Sequence, residues 1–146
     1  MRPVYLDYNA TTPIDPEVAE FMKPYLVDFF GNPSSSHWYG IQAKKAIDAA
    51  RNQVADLLGC QPDEIIFTSG GSESNNYALK GAVFANRMKG NHIITSAIEH
   101  PAVTEVCNYL EAEKFRVTYL PVDEFGLVDM VKLQEEITSQ TILISC

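Results

Sequence analysis

Apolar residues recur along this chain in two rhythms. In "DPEVAEFMKPYLVDFF", residues 15 to 30, Val18, Phe21, Met22, Tyr25, Leu26 and Phe29 fall at three- and four-residue steps, the face of an amphipathic helix. Asp15 before Pro16 supplies its N-cap. After the breaker-rich loop "GNPSSSHWYG", the stretch "IQAKKAIDAARNQVADLLG" predicts a second helix closed by Gly59. From about residue 60 the rhythm changes. Short apolar runs, "EIIFT" (64–68), "HIITS" (92–96), "RVTYLPV" (116–122) and "TILISC" (141–146), read as buried strands, with helical patterns over 73–89, 101–113 and 129–138 between them. Parallel strands need a crossover that returns the chain to the same end of the sheet, so strands alternating with helices predict βαβ units and an α/β fold. Residues 64–68 and 92–96 are expected to share one sheet or core. Residues 1–58 are expected to form an N-terminal helical segment and residues 59–146 the sheet-bearing part.

Composition narrows the chemistry. With 146 residues and 46% hydrophobic content, the chain has material for one domain with a sizeable core. Nineteen acidic residues against 11 Lys plus Arg give a net charge of −8, and no basic run tracks a phosphate backbone, which argues against nucleic acid as a partner. Cys60, Cys107 and Cys146 are odd in number and widely spaced, so neither a disulfide framework nor a metal site is suggested and a reducing compartment is expected. The opening "MRPVYLDYNATTP" lacks the apolar core of a signal peptide, and no stretch approaches the roughly 20 apolar residues of a membrane span. A cytoplasmic location without membrane association is the expectation.

In open parallel sheets, ligands sit beyond the carboxyl ends of the strands. Here that rule selects "SGGSE" after Thr68 and "AIEHP" after Ser96. Gly70 and Gly71 let a ligand approach the backbone amides, and Ser72 and Glu73 open a helix whose free N–H groups and dipole attract an anion. A plain strand-to-helix connection with Ser72 as cap is the alternative. The spacing fits neither a P-loop nor a GxGxxG turn. His100, directly before Pro101, should project at the same edge, as a ring able to carry a proton beside an anion site or as a cap or partner of Glu99. His37 reads as a helix cap and His92 as a solvated residue at a strand start. Cys60 and Cys107 lack a neighbouring base, and no Ser/His/Asp order supports hydrolase chemistry.

Five motifs, "YLDYNATTP", "FGNPSSSHWYG", "IIFTSGGSESNN", "SAIEHPAV" and "VDEFGLVDMVKL" leading to "TILISC", together resemble the N-terminal part of the cysteine desulfurases, NifS/IscS-like enzymes of the class V aminotransferase family. The resemblance implies a type I-like fold of the enzymes dependent on pyridoxal 5′-phosphate (PLP). That fold has a mostly parallel sheet with helices on both faces, incomplete in this chain, with 59–146 as the first part of the large PLP-binding domain. It places Gly71 and Ser72 at the cofactor phosphate. His100 falls on the histidine that stacks on the pyridine ring and handles protons, which makes it both a cofactor-binding and a catalytic residue. Serine stands at 72 where many relatives carry threonine, which keeps the hydroxyl.

The implied reaction turns L-cysteine into L-alanine with the sulfur held as an enzyme persulfide. Its implied partners are a sulfur-acceptor or iron–sulfur scaffold protein and a second copy in a homodimer. Selenocysteine lyase and a non-catalytic module of the same fold are the alternatives. The family's Schiff-base lysine, pyridinium-pairing aspartate and persulfide cysteine have no counterpart here. Lys80, Lys89, Lys114 and Cys146 do not fill those roles, so the chain alone is expected to be inactive.

Overall fold

The structure, a computed structural model, describes residues 3–146, and Met1 and Arg2 lie outside the described residues. It divides into two compact units, residues 1–66 and 67–146, rather than at 58/59. The reason is local. A 3-10 turn at Pro62–Glu64 packs on the preceding helix, and the Arg51 guanidinium donates to the Ile65 carbonyl, so residues 59–66 stay with the first unit.

In that unit, α1 spans Pro16–Val27 and α2 spans Trp38–Leu58. The Asp15 carboxylate accepts the Glu17 N–H at 2.8 Å, the cap expected from the sequence. Pro24 sits within α1, and its carbonyl still accepts from Asp28 and Phe29 at the helix end. At the start of α2, Nδ1 of His37 accepts the Gly40 N–H at 3.4 Å, and at its end Gly59 takes the left-handed conformation (φ 70°) that stops the helix. The apolar stripe of α1 is present, yet none of its residues is buried: Phe21 is 71% and Leu26 71% exposed.

The second unit follows the alternation read from the sequence. Its elements are α3 (Gly71–Asn86), β1 (His92–Ser96), α4 (Pro101–Ala112), β2 (Arg116–Leu120), α5 (Met130–Glu136) and β3 (Thr141–Ser145). The strands form one parallel sheet in the order β2-β1-β3, with an irregularity in the β1–β3 register between His92 and Ile93. All five residues of the central strand are buried, as both its faces are covered and both its edges paired. Side-chain alternation divides the work. Ile93, with its register partners Val117 and Leu143, packs against Leu79 and Val83 of α3 and Val103, Val106, Cys107 and Leu110 of α4. The opposite face carries His92 and Thr118, and the Thr118 hydroxyl donates to Glu136 of α5 at 3.5 Å. Helices thus cover both faces, as expected.

Two expectations fail. Residues 65–68 form no strand, and Ile66 (53% exposed) and Phe67 (48% exposed) are not core residues. An apolar run becomes a strand only where a neighbour takes its N–H and C=O groups, and residues 65–68 pair with none of the three described strands, β2, β1 and β3. His92 is not solvated at the strand start; it is fully buried.

Two substitutions test this packing. Leu110→Ala removes a fully buried side chain and should lower unfolding free energy by about 2–5 kcal/mol in urea titration. Gly90→Ala should cost about 1–3 kcal/mol in the same measurement, because an added methyl runs into the Gln140 backbone where the turn before β1 meets the turn before β3.

Candidate functional site

Short turns on either side of β1 fix where helix ends fall. Because α3 leads into β1 through residues 87–91, and α4 leaves it through 97–100 and returns to β2, both helices run back along the sheet. Their N-termini therefore gather beyond the carboxyl end of β1, where the sequence placed both candidate loops.

The first loop is folded onto the opening turn of α3 by its own side chains. Thr68 Oγ1 and Ser74 Oγ lie 2.6 Å apart, and the Ser74 hydroxyl also reaches the Gly70 carbonyl at 3.1 Å. The Glu73 carboxylate accepts the Ser69 N–H at 2.6 Å, a capping-box contact displaced by one residue. That bond holds the Glu73 carboxyl below its usual range. The neighbouring amides are left open. Gly70 is the N-cap and has no side chain with which to cap the helix. The Ser72 hydroxyl, 71–73 amides and helix dipole face no hydrogen-bonding partner among the described residues. A Cβ built on Gly70 or Gly71 would meet nothing within 4 Å, so space for a ligand lies directly over these two residues. The alternative in which Ser72 caps the helix does not apply: Ser72 lies inside it, at the second turn-opening position after the cap.

His100 lies at the start of α4 as its N-cap, with Nδ1 accepting the Ala102 N–H at 3.0 Å. A nitrogen that accepts carries no hydrogen, so the neutral ring holds its proton on Nε2, on the solvent side of an exposed residue. Glu99 is engaged elsewhere, accepting the Ser96 hydroxyl at 2.9 Å. The structure brings Gly71, Ser72 and His100 to one edge of the sheet and records no hydrogen bond between His100 and the glycine loop. One buried group at this edge was not singled out from the sequence: Thr95 Oγ1, near the end of β1, is buried with no hydrogen-bond partner. A threonine in an apolar strand looks like any β-former, so nothing local marks it. The Thr68–Ser74 pair was also missed, although hydroxyls six residues apart across a helix start were available as a signal.

Comparison with known proteins bears on the family and the fold. The family model described as aminotransferase class-V matches residues 4–146. The chain is 56% identical over 144 residues to a cysteine desulfurase IscS of Dictyoglomus turgidum and 54% identical to one of Methanosarcina thermophila, covering 99% of this chain and 36% of each relative. It thus spans about 36% of the length of these curated relatives. Among solved structures it is similar to a NifS-like protein (TM-score 0.90, 41% identity, 97% of this chain and 39% of that one). It is also similar to a structure described as SspA in complex with cysteine (TM-score 0.86, 46% identity, 96% and 40%).

The Glu73 clamp can be tested alone. Glu73→Gln should lower hydrogen-exchange protection of the Ser69 amide, since a neutral acceptor replaces a charged one. In the unsubstituted chain the depressed carboxyl contributes stability that is present above the ordinary Glu pKa and is lost as pH falls through the lowered folded-state value. Protection of Ser69 that is equal in both chains would show the contact to be idle.

Proposed function

Since the chain belongs to the aminotransferase class-V family, we propose that it is the N-terminal part of a PLP-dependent cysteine desulfurase, and that residues 67–146 begin its cofactor-binding domain. The observation that carries this reading is the opening of α3: free amides, an unengaged Ser72 hydroxyl and open space over Gly70 and Gly71, all at a helix N-terminus. This arrangement suits a dianionic phosphate ester held by backbone N–H groups. Gly71 and Ser72 would hold the cofactor phosphate, and His100 would lie against the ring. PLP, when bound, supplies an electron sink for carbanion chemistry.

The chain's own residues supply binding and positioning. Gly71 keeps the anion close to the amides, Ser72 donates a hydroxyl hydrogen to it, and the Thr68–Ser74 and Ser69–Glu73 contacts hold the loop in shape. His100, fixed at Nδ1 by the Ala102 amide, presents Nε2 as the atom at which a proton can be held or passed. The proposed substrate is L-cysteine, converted to L-alanine with transfer of sulfur to a thiol elsewhere in the protein; the cysteine complex of the SspA structure supports cysteine as substrate. The reading extends to a cytoplasmic homodimer that delivers sulfur to an acceptor or iron–sulfur scaffold protein. The cysteine desulfurase naming of its relatives supports the sulfur-transfer part of it.

In the full-length protein, Ser72→Ala should weaken PLP retention by roughly 1.5–3 kcal/mol, read by cofactor absorbance after dialysis. Unchanged retention would remove Ser72 from the phosphate site. His100→Ala should reduce alanine formation far more than cofactor retention, and an equal fall in both would leave His100 as a packing residue. The 146-residue chain by itself should form no alanine from L-cysteine, because no lysine or cysteine within it is assigned to the covalent steps.

A further inference from the structure

Residues 97–100 join β1 to α4 and end on His100, so whatever holds this loop also aims the histidine. The Ser96 hydroxyl donates to Glu99 at 2.9 Å, which closes the loop on itself. Outside support comes from the segment that follows β2. At the base of the loop the Ala97 N–H donates to the carbonyl of Leu120, the last residue of β2, at 2.8 Å. At its apex Ile98 lies against Gly126, where a methyl built on the glycine would fall 3.4 Å from Ile98 Cδ1. Two consecutive loop residues thus lean on one neighbouring segment.

Gly126 is held in place by a hairpin built around one carboxylate. Val122 and Val128 pair as an antiparallel bridge, the Asp123 N–H donates to the Leu127 carbonyl at 3.0 Å, and the Gly126 N–H donates to the Asp123 carbonyl at 3.1 Å. Inside the turn, Oδ1 of Asp123 accepts both the Phe125 and the Leu127 N–H, each at 2.9 Å. These bonds carry the shape of the turn, because burial contributes little: Phe125 is 81% and Leu127 67% exposed. Gly126 itself has φ 83°, so the tip presents bare backbone to Ile98 in a conformation that a side chain would resist.

We propose that the 122–128 hairpin is a buttress for the loop that carries His100, which makes Asp123 a positioning residue acting through Gly126 and Ile98. The inference rests on the reading of His100 as the residue that handles protons. The His100 ring is exposed, and the one hydrogen bond recorded for it comes from the Ala102 N–H. As the N-cap, His100 has extended backbone (φ −62°, ψ 148°). Packing of α4 on the sheet fixes the helix behind it, whereas residues 97–99 set the direction from which the chain enters. Removing the Asp123 carboxylate takes away two of the four hydrogen bonds that shape the turn and leaves the Ile98 contact without a fixed surface. Asparagine keeps an Oδ1 able to accept from both N–H groups, so the oxygen and not the charge is what the turn requires.

The test uses the full-length protein carrying Asp123→Ala, Asp123→Asn or Ile98→Ala. Hydrogen exchange, measured with the cofactor removed, should show the Ala102 amide losing protection several-fold in both alanine variants and keeping it in Asp123→Asn, with β1 amides unchanged in all three. Unchanged Ala102 protection in the alanine variants, equal loss across β1, or failure of asparagine to restore it would overturn the proposal. With PLP restored, Asp123→Ala should lower kcat for alanine formation by up to about 100-fold, the scale on which small misplacement of a reacting group acts, while PLP retention holds. Loosened exchange with unchanged kcat, or a parallel loss of PLP, would also overturn the positioning role. If the unsubstituted protein forms no alanine from L-cysteine, the desulfurase reading fails, and the exchange measurements still decide the buttress. Should Asp123→Ala not fold, Ile98→Ala, which trims an exposed side chain, decides both measurements.

Discussion

Parallel pairing of β1 with a strand on each side is the constraint from which the rest of the second unit follows. A strand paired at both edges and covered on both faces has nowhere to expose polar groups, so His92, Thr95 and Ser96 are buried along with the two isoleucines. Parallel strands also cannot be joined by tight turns. The chain must return along α4 and α5, and each return carries a helix N-terminus to the carboxyl edge of the sheet, where α3, leading into β1, also begins. Backbone hydrogen bonding thus concentrates amide donors at one end of the molecule before any side chain is chosen.

What distinguishes α3 from the other helices of this unit is how its donors are left. Asp129 caps α5 through two N–H groups and His100 caps α4 through one, so those helix starts are partly satisfied by their own side chains. Gly70 offers α3 no side chain, and the residues that shape its loop bond to one another instead. An uncapped helix start costs stability unless something external accepts from it. The same edge carries His100, whose capping bond selects one tautomer, so the glycine loop and the histidine are both placed by the same geometric device, the helix N-terminus.

The two ends of β1 show how context decides the chemistry of one residue type. His100 caps a helix at the open edge and stays exposed, while His92 lies between strands and is surrounded by hydroxyls. His100 Nδ1 accepts from a backbone amide fixed by the helix, whereas each His92 ring nitrogen faces a threonine hydroxyl, which can rotate to donate or to accept.

Local rules made much of this protein legible in its sequence. Asp15, Gly59 and Pro101 mark helix ends because capping and backbone restriction act within a few residues. The alternation of strands and helices, and with it the edge that carries Gly71, Ser72 and His100, follows from periodicity and the crossover rule. Tertiary structure alone decided the remainder. "EIIFT" has the composition of a strand, yet strand formation needs a partner at hydrogen-bonding distance, and none of the three described strands pairs with it. The stripe of α1 has the spacing of a buried face and stays exposed, because periodicity specifies which residues share a side of a helix and not what covers them. His92 is invisible as a network residue for the same reason. Thr118 and Thr141 are 26 and 49 residues away along the chain, and only the parallel register sets their hydroxyls on either side of its ring.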